Sequence, residues 1–308
     1  MSSVRPAHLE WSPLPRRTPL RWPNEARVAV CIVVTLERLE WFPHGSAAPP
    51  SARYGGPYPA VFDPLGGGLR EYGNRVGVFR VMDVLDDHEI AATVAIDSAL
   101  ASDTPFLVDQ CKQRKWEFIG HGVVANRMIT DAMSEAEEQA YLQASLEPLA
   151  AATGVFPRGW LGVDYVESSR TVRLLAERGV DYVCDWANDE QPYVMSFGSQ
   201  SILSLPTSAE ADDVLTHRLR GIPIDGWGQL VCDTFDGLYE DGAATGRLLV
   251  LNVHPYLIGQ PFRIPHFRRV IEHLTSRENV WFATGAEVAD WYLSTHYTPS
   301  RGDGDVDT

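Results

Sequence analysis

The chain has 308 residues, 44% of them hydrophobic and nine of them Trp, enough to bury a substantial core in one α/β body or two smaller domains. Its formal net charge of −15, from 26 Lys+Arg against 41 Asp+Glu, disfavours nucleic acid and anionic membrane surfaces as partners. No apolar run reaches the ~18 residues that span a bilayer, the first residues lack the apolar stretch of an export signal, and Cys31, Cys111, Cys184 and Cys232 are widely scattered, so a reduced, cytoplasmic setting is expected.

In chain order, residues 1–26 are rich in Pro and Arg and read as an extended arm. Arg27 to Val34 is a continuous β-branched run, a buried strand, and it leads into Thr35, Glu37, Glu40 and Trp41. The Pro/Gly-rich stretch 42–70 is long for a connection and reads as a lid-like insertion. A helix is predicted over Arg75 to Asp87, a strand over Ile90 to Ile96 ending at Asp97, and a helix over Ser98 to Lys115. Trp116 to Gly120 is a short strand followed at once by His121, with Asn126 in the next loop. Ser134 is a helix N-cap with acids in the first turn behind it, and Gly154 is the stop. Further strands are predicted near Arg158 to Leu161, which carries Trp160, at Val180 to Cys184, which runs into Asp185 and Trp186, and at Ile202 to Leu205. Leu248 to Val253 is another buried strand; it ends at His254, where Pro255 turns the chain out of the sheet before Tyr256. Val280 to Ala283 is the last strand, Gly285 to Tyr292 the last helix, and residues 294–308 read as a disordered tail.

About seven strands alternating with helices predict an α/β fold, a distorted TIM-like (β/α) barrel over residues 27–293. In such a barrel all strand carboxyl ends meet at one face, so Glu37, Asp97, His121, Trp160, Asp185 and His254 are expected to converge there. Hydrolysis of an amide or imide needs an activated water, a stabilised oxyanion and a proton for the leaving nitrogen. Glu37 is the candidate that positions the water, with desolvation expected to raise its pKa. His254 is the candidate general acid, His121 an electrophile, ligand or second base, and Asn126 a hydrogen-bond partner for the substrate carbonyl. Glu40, Trp41, Trp160, Trp186 and Tyr256 are expected to line the substrate pocket. An aromatic wall of this kind suits a small soluble substrate better than a long polymer.

Several segments carry a family likeness: Tyr72-Gly-Asn-Arg-Val-Gly77, Glu117-Phe-Ile-Gly-His-Gly122, Gly159-Trp160, Tyr182 to Tyr193 and His254 to Pro261. Together they resemble the polysaccharide deacetylase (NodB-homology, carbohydrate esterase 4) superfamily, most of all its intracellular allantoinase- and cyclic-imidase-like branch. The resemblance spans about residues 25–293. It implies a metal held by an Asp and two histidines, and an acidic residue, matched by Asp185, that orients the histidine matched by His254. Here the Asp pair is replaced by Thr35 and Glu37, and the second histidine position is Ala125, next to Asn126. Only Glu37 and His121 remain as good metal ligands, an incomplete zinc set, so no cofactor is expected to be required, a divalent ion such as zinc being the lesser alternative. The expected function is hydrolysis of a non-peptide carbon–nitrogen bond in a small molecule, by a homo-oligomer. A metal-dependent N-deacetylase of an amino sugar or polysaccharide, and a non-catalytic ligand-binding barrel, are the alternatives.

Overall fold

The computed structural model describes residues 8–41, 62 and 64–297. Most of the lid-like stretch (42–61 and 63), the start of the arm (1–7) and the end of the tail (298–308) lie outside the described residues. Nine strands form one sheet: β1 (Val28–Leu36), β2 (Thr93–Ile96), β3 (Glu117–Gly120), β4 (Gly159–Trp160), β5 (Tyr182–Val183), β6 (Tyr193–Phe197), β7 (Gln200–Ser204), β8 (Arg247–Val253) and β9 (Val280–Phe282). The helices are α1 (Pro64–Tyr72), α2 (Val78–Asp86), α3 (Ser98–Asp103), α4 (Pro105–Gln113), α5 (Glu135–Thr153), α6 (Thr171–Glu177), α7 (Ile224–Asp241), α8 (Pro255–Ile258), α9 (Ile264–Thr275) and α10 (Gly285–Thr295).

All pairs are parallel except the β6–β7 hairpin, and the order is β6-β7-β5-β4-β3-β2-β1-β8. β1, paired along both edges, is buried along its whole length, as its unbroken apolar run requires of a strand covered on both faces. One edge of β1 pairs with β8; the other is shared by β9 at its beginning and β2 at its end. Two backbone hydrogen bonds from irregular segments reach the far side of β8, Leu248 N to Glu190 O (2.8 Å) and Ser208 N to Val250 O (3.0 Å). They close the curled sheet into the expected distorted barrel, with nine strands rather than about seven.

Side-chain alternation divides the core into two layers. The even residues of β1 (Val28, Val30, Ile32, Val34) face outward against Val81, Leu85, Phe235 and Phe267 from α2, α7 and α9. The odd ones (Ala29, Cys31, Val33) fill the barrel interior with Ala95, Ile119, Leu161, Tyr182, Leu248 and Val250. The inward rows continue toward the carboxyl face as Thr35 and Glu37 on β1, as Asn252 and His254 on β8 and as His121 on β3.

Local signals fix the helices. Asp97 caps α3, Ser134 and Glu137 form a reciprocal cap on α5, and Gly154 ends α5 in the left-handed conformation (φ 80°). Thr284 and Glu287 repeat the reciprocal cap on α10. The single helix predicted over Ser98 to Lys115 is interrupted at Thr104-Pro105, because proline fits the first turn of a new helix but not the interior of an old one. From residue 8 the arm is pinned to the body: Trp22 is buried, donates from Nε1 to Arg247 O (2.7 Å) and packs against Trp281 and Trp291. No helix among the described residues is long and apolar enough to cross a membrane.

Candidate active site

Glu37 lies one residue beyond β1 and is buried. Its Oε2 accepts from Arg70 Nε on α1 (3.1 Å), its Oε1 is 3.5 Å from His121 Nε2, and its backbone carbonyl accepts from Asn74 Nδ2 (2.8 Å). Burial alone would raise the Glu37 carboxyl, but the Arg70 guanidinium, a hydrogen bond with His121 and the charge of His254 hold it well below the usual carboxylate range. This corrects the expectation that desolvation would raise it. Burial is present, but cations surround the group and outweigh it.

His121, just past β3, is buried, and its Nδ1 is 2.6 Å from Leu161 O. A carbonyl oxygen only accepts, so Nδ1 carries a proton, and Nε2 is the ring nitrogen that faces Glu37. His254, at the end of β8, is buried too. Its Nδ1 is 2.7 Å from Asp213 Oδ1, and its backbone N–H donates to Asp213 Oδ2 (3.0 Å). Burial opposes charge on this imidazole, yet Asp213, Asp212 and Glu37 together push its pKa up to about 9. With Nδ1 committed to Asp213, Nε2 is the nitrogen left to face a substrate.

A line of contacts joins the two halves. The Arg70 guanidinium lies 4.3 Å from the centre of the Tyr256 ring, and that ring is 5.6 Å from the His254 ring, edge-on. His121, Glu37, Arg70, Tyr256, His254 and Asp213 are thus successive neighbours around one barrel mouth. Beneath them runs a buried polar layer. Thr35 Oγ1 donates to Asn252 Oδ1 (2.5 Å), while Asn252 Nδ2 donates to Tyr165 OH (2.8 Å) and Asp212 Oδ2 (3.0 Å). Tyr165 OH in turn donates to Asp212 Oδ2 (2.6 Å). The loop that delivers Tyr165 is strained, with Asp164 and Tyr165 at φ 62° and 57°.

Other expected residues lie elsewhere. Asp185 does not orient His254: its Oδ1 accepts from Gly162 N (2.6 Å), and it pairs with the buried carboxyl of Glu167. Asp213, in the stretch between β7 and α7, holds the imidazole instead. Asn126 exchanges both amide atoms with the Glu40 backbone (2.9 and 3.1 Å), which shapes a loop rather than presenting a donor to a carbonyl. Glu40 pairs with Arg127 (2.6 Å). With Trp41, these two line a separate hollow of about 700 Å³ bordered also by Arg38, Glu71 and Arg75. Trp160 is 1% exposed and packs outward against Leu142 and Leu146, so it belongs to the core and not to a pocket wall. Trp186 lies against the His8 ring of the arm (5.8 Å). Of the expected substrate-binding residues, only Tyr256 reaches the mouth. Arg70, Asn74, Tyr165, Asp212, Asp213 and Asn252 were not singled out from sequence.

Two donor sets could be asked to hold a metal. The first, Glu37 and His121, has a guanidinium against the carboxylate and only the methyl of Ala125 at the second histidine position. The second, Asp212, Asp213 and His254, is close enough for shared ligation. Its carboxylate oxygens, however, already accept from Leu215 N, Tyr165, Asn252 and His254, and His254 Nδ1 is turned into Asp213. Neither arrangement fits a divalent ion as it stands.

No family model matches the chain. A curated relative from Schizosaccharomyces pombe, described as a "Putative polysaccharide deacetylase", is 23% identical over 300 residues, covering 89% of this chain and 93% of its own. The structure of a "probable polysaccharide deacetylase" from Pseudomonas aeruginosa PAO1 superposes with a TM-score of 0.79 at 26% identity, covering 90% of this chain and 95% of that one. The structure of an allantoinase superposes equally well, with a TM-score of 0.79 at 27% identity over 90% of this chain and 94% of that one. Fold and likenesses together indicate a hydrolase of non-peptide carbon–nitrogen bonds on a distorted barrel. The likeness is to proteins described as polysaccharide deacetylases, the carbohydrate esterase 4 type.

Proposed function

We propose that this protein hydrolyses an amide or imide bond in a small soluble molecule, such as a ureide or cyclic imide, with its own side chains supplying the acid–base groups. The observation that carries the reading is the pairing of an ionised Glu37 beside His121 Nε2 with a protonated His254 held by Asp213. In the reactive form His121 Nε2 carries no proton, and a water lying against both Glu37 Oε1 and His121 Nε2 donates a hydrogen bond to each. His121 takes its proton as the oxygen attacks the carbonyl carbon, and Glu37, too acidic to be an efficient base, orients the water and stabilises the imidazolium that forms. The positive charges of Arg70 and His254 favour the tetrahedral oxyanion. His254 then passes its Nε2 proton to the leaving nitrogen as the carbon–nitrogen bond breaks, and His121 releases the proton it gained.

N-deacetylation of an amino sugar is the second reading, favoured by the descriptions of the yeast and Pseudomonas relatives. One panel separates the two: allantoin, hydantoins, succinimide-type imides and N-acetyl sugars, each with and without a chelator. Turnover of a ureide or imide that survives chelation is the expected result. Turnover of N-acetyl sugars alone would replace the first reading by the second.

A further inference from the structure

Resting on the hydrolase reading of this mouth, we propose that Arg70 is its resident cation: the guanidinium stands against Glu37 where a metal would otherwise draw its charge, and it is a positioning residue for Glu37 and His121. Three observations carry this. Arg70 is 4% exposed and makes a 3.1 Å ion pair with a carboxylate that is itself buried. Its guanidinium carbon lies over the Tyr256 ring, 4.3 Å from the centre, so the group is held between an acid and an aromatic ring, a role that suits a guanidinium better than an ammonium. The helix that delivers it is built for close approach. A Cβ at Gly67 in α1 would lie 2.6 Å from the Trp41 ring, and one at Gly73, the residue after α1, 2.6 Å from the backbone of Tyr256, so glycines within and just behind the helix let it settle this deep.

Like charges repel strongly where water is excluded. A dication between Glu37 and His121 would compete with the guanidinium for the same carboxylate and would find no third donor at Ala125. The site therefore has its positive charge supplied by the chain. The Glu37 oxygen turned to His121 stays available to a water, and the oxygen turned to Arg70 is fixed.

The test is zinc titration of the full-length, chelator-treated protein, read by calorimetry and thermal melting, and it needs no substrate. The wild type is expected to show no saturable zinc binding and no zinc-dependent rise in Tm. Arg70→Met is expected to melt lower, to acquire saturable zinc binding that the wild type lacks and to recover Tm with it; adding Glu37→Gln should remove that binding. Arg70→Lys, which keeps the charge but not the guanidinium's fit, should melt lower and still show no saturable zinc binding. One tightly held zinc in the wild type that Glu37→Gln abolishes would overturn the proposal, as would a folded Arg70→Met protein with no gain in zinc affinity. Should Arg70→Met fail to fold, zinc binding by Arg70→Lys would overturn it equally. A metal-bound wild type that hydrolyses imides would sink this inference and leave the proposed reaction standing; a wild type without zinc affinity and without turnover would do the reverse.

Discussion

Asp213→Asn removes the negative charge that keeps His254 protonated. In the folded chain the imidazole is raised from its ordinary 6.5 to about 9, a preference for the charged ring of about 3 kcal/mol. Asparagine retains one acceptor for the two His254 N–H groups and puts an amide donor against the other. The burial that opposes protonation is then unchecked, and the His254 pKa is expected to fall to 6.5 or below. Two assays read this. In the wild type the rate should stay level through neutral pH and fall above about 9 as the general acid is lost. In Asp213→Asn that alkaline limb should move down by more than one pH unit, with kcat at neutral pH reduced roughly 10²–10⁴-fold. The second assay follows His254 directly, by NMR titration of labelled imidazoles, and needs no substrate. Stability follows the same sign. A raised imidazole pKa stabilises the fold fully below about 6.5, and the contribution is lost as pH rises through about 9, so the denaturant midpoints of wild type and variant should converge at high pH. An alkaline limb and a His254 titration that stay in place in Asp213→Asn would refute the reasoning.

Asp185→Asn should leave that limb where it is, because Asp185 bonds Gly162 N and Glu167 rather than His254; a pH–rate profile of the variant checks this. Asn252→Ala strips partners from Thr35, Tyr165 and Asp212 inside a sealed layer and should cost about 2–3 kcal/mol in urea unfolding. Gly77→Ala would place a Cβ 2.2 Å from Pro255 O, directly behind His254. It should destabilise the fold by about 1–3 kcal/mol and lower kcat more than KM moves, since the acid is displaced. Asn126→Ala should loosen the Glu40 loop at a cost of about 1–2 kcal/mol by thermal melting, without shifting the pH profile.

The barrel was legible where chemistry repeats at short range. The apolar runs of β1 and β8 and the short run of β3 gave strands, and Glu37, His254 and His121 followed from asking what stands at their ends. Alternation would have sharpened this further, since Trp160 has the opposite parity to inward Leu161 and faces the core of the outer layer. The family likeness pointed to an acid partner for His254 but to the wrong segment. Asp212 and Asp213, within Ser208-Ala-Glu-Ala-Asp-Asp213, read as a solvated acidic run, and nothing local shows that the chain there folds under β8. Arg70 escaped notice for a similar reason. It follows Gly66-Gly-Gly68, which suggests a flexible loop in sequence but lies in a helix, where Gly67 serves close contact with Trp41.

The barrel is stitched beside β8 by main-chain bonds from Glu190 and Ser208 rather than by a full ladder. Five residues beyond Ser208 stands Asp213, and His254 ends the strand on the other side, so the acid and its imidazole straddle the least reinforced join in the wall. Parting that join would pull the two groups away from each other and leave the histidine neutral, whereas Glu37, just past the doubly paired β1, would keep its place. Proton donation in this molecule is thereby tied to the barrel staying shut.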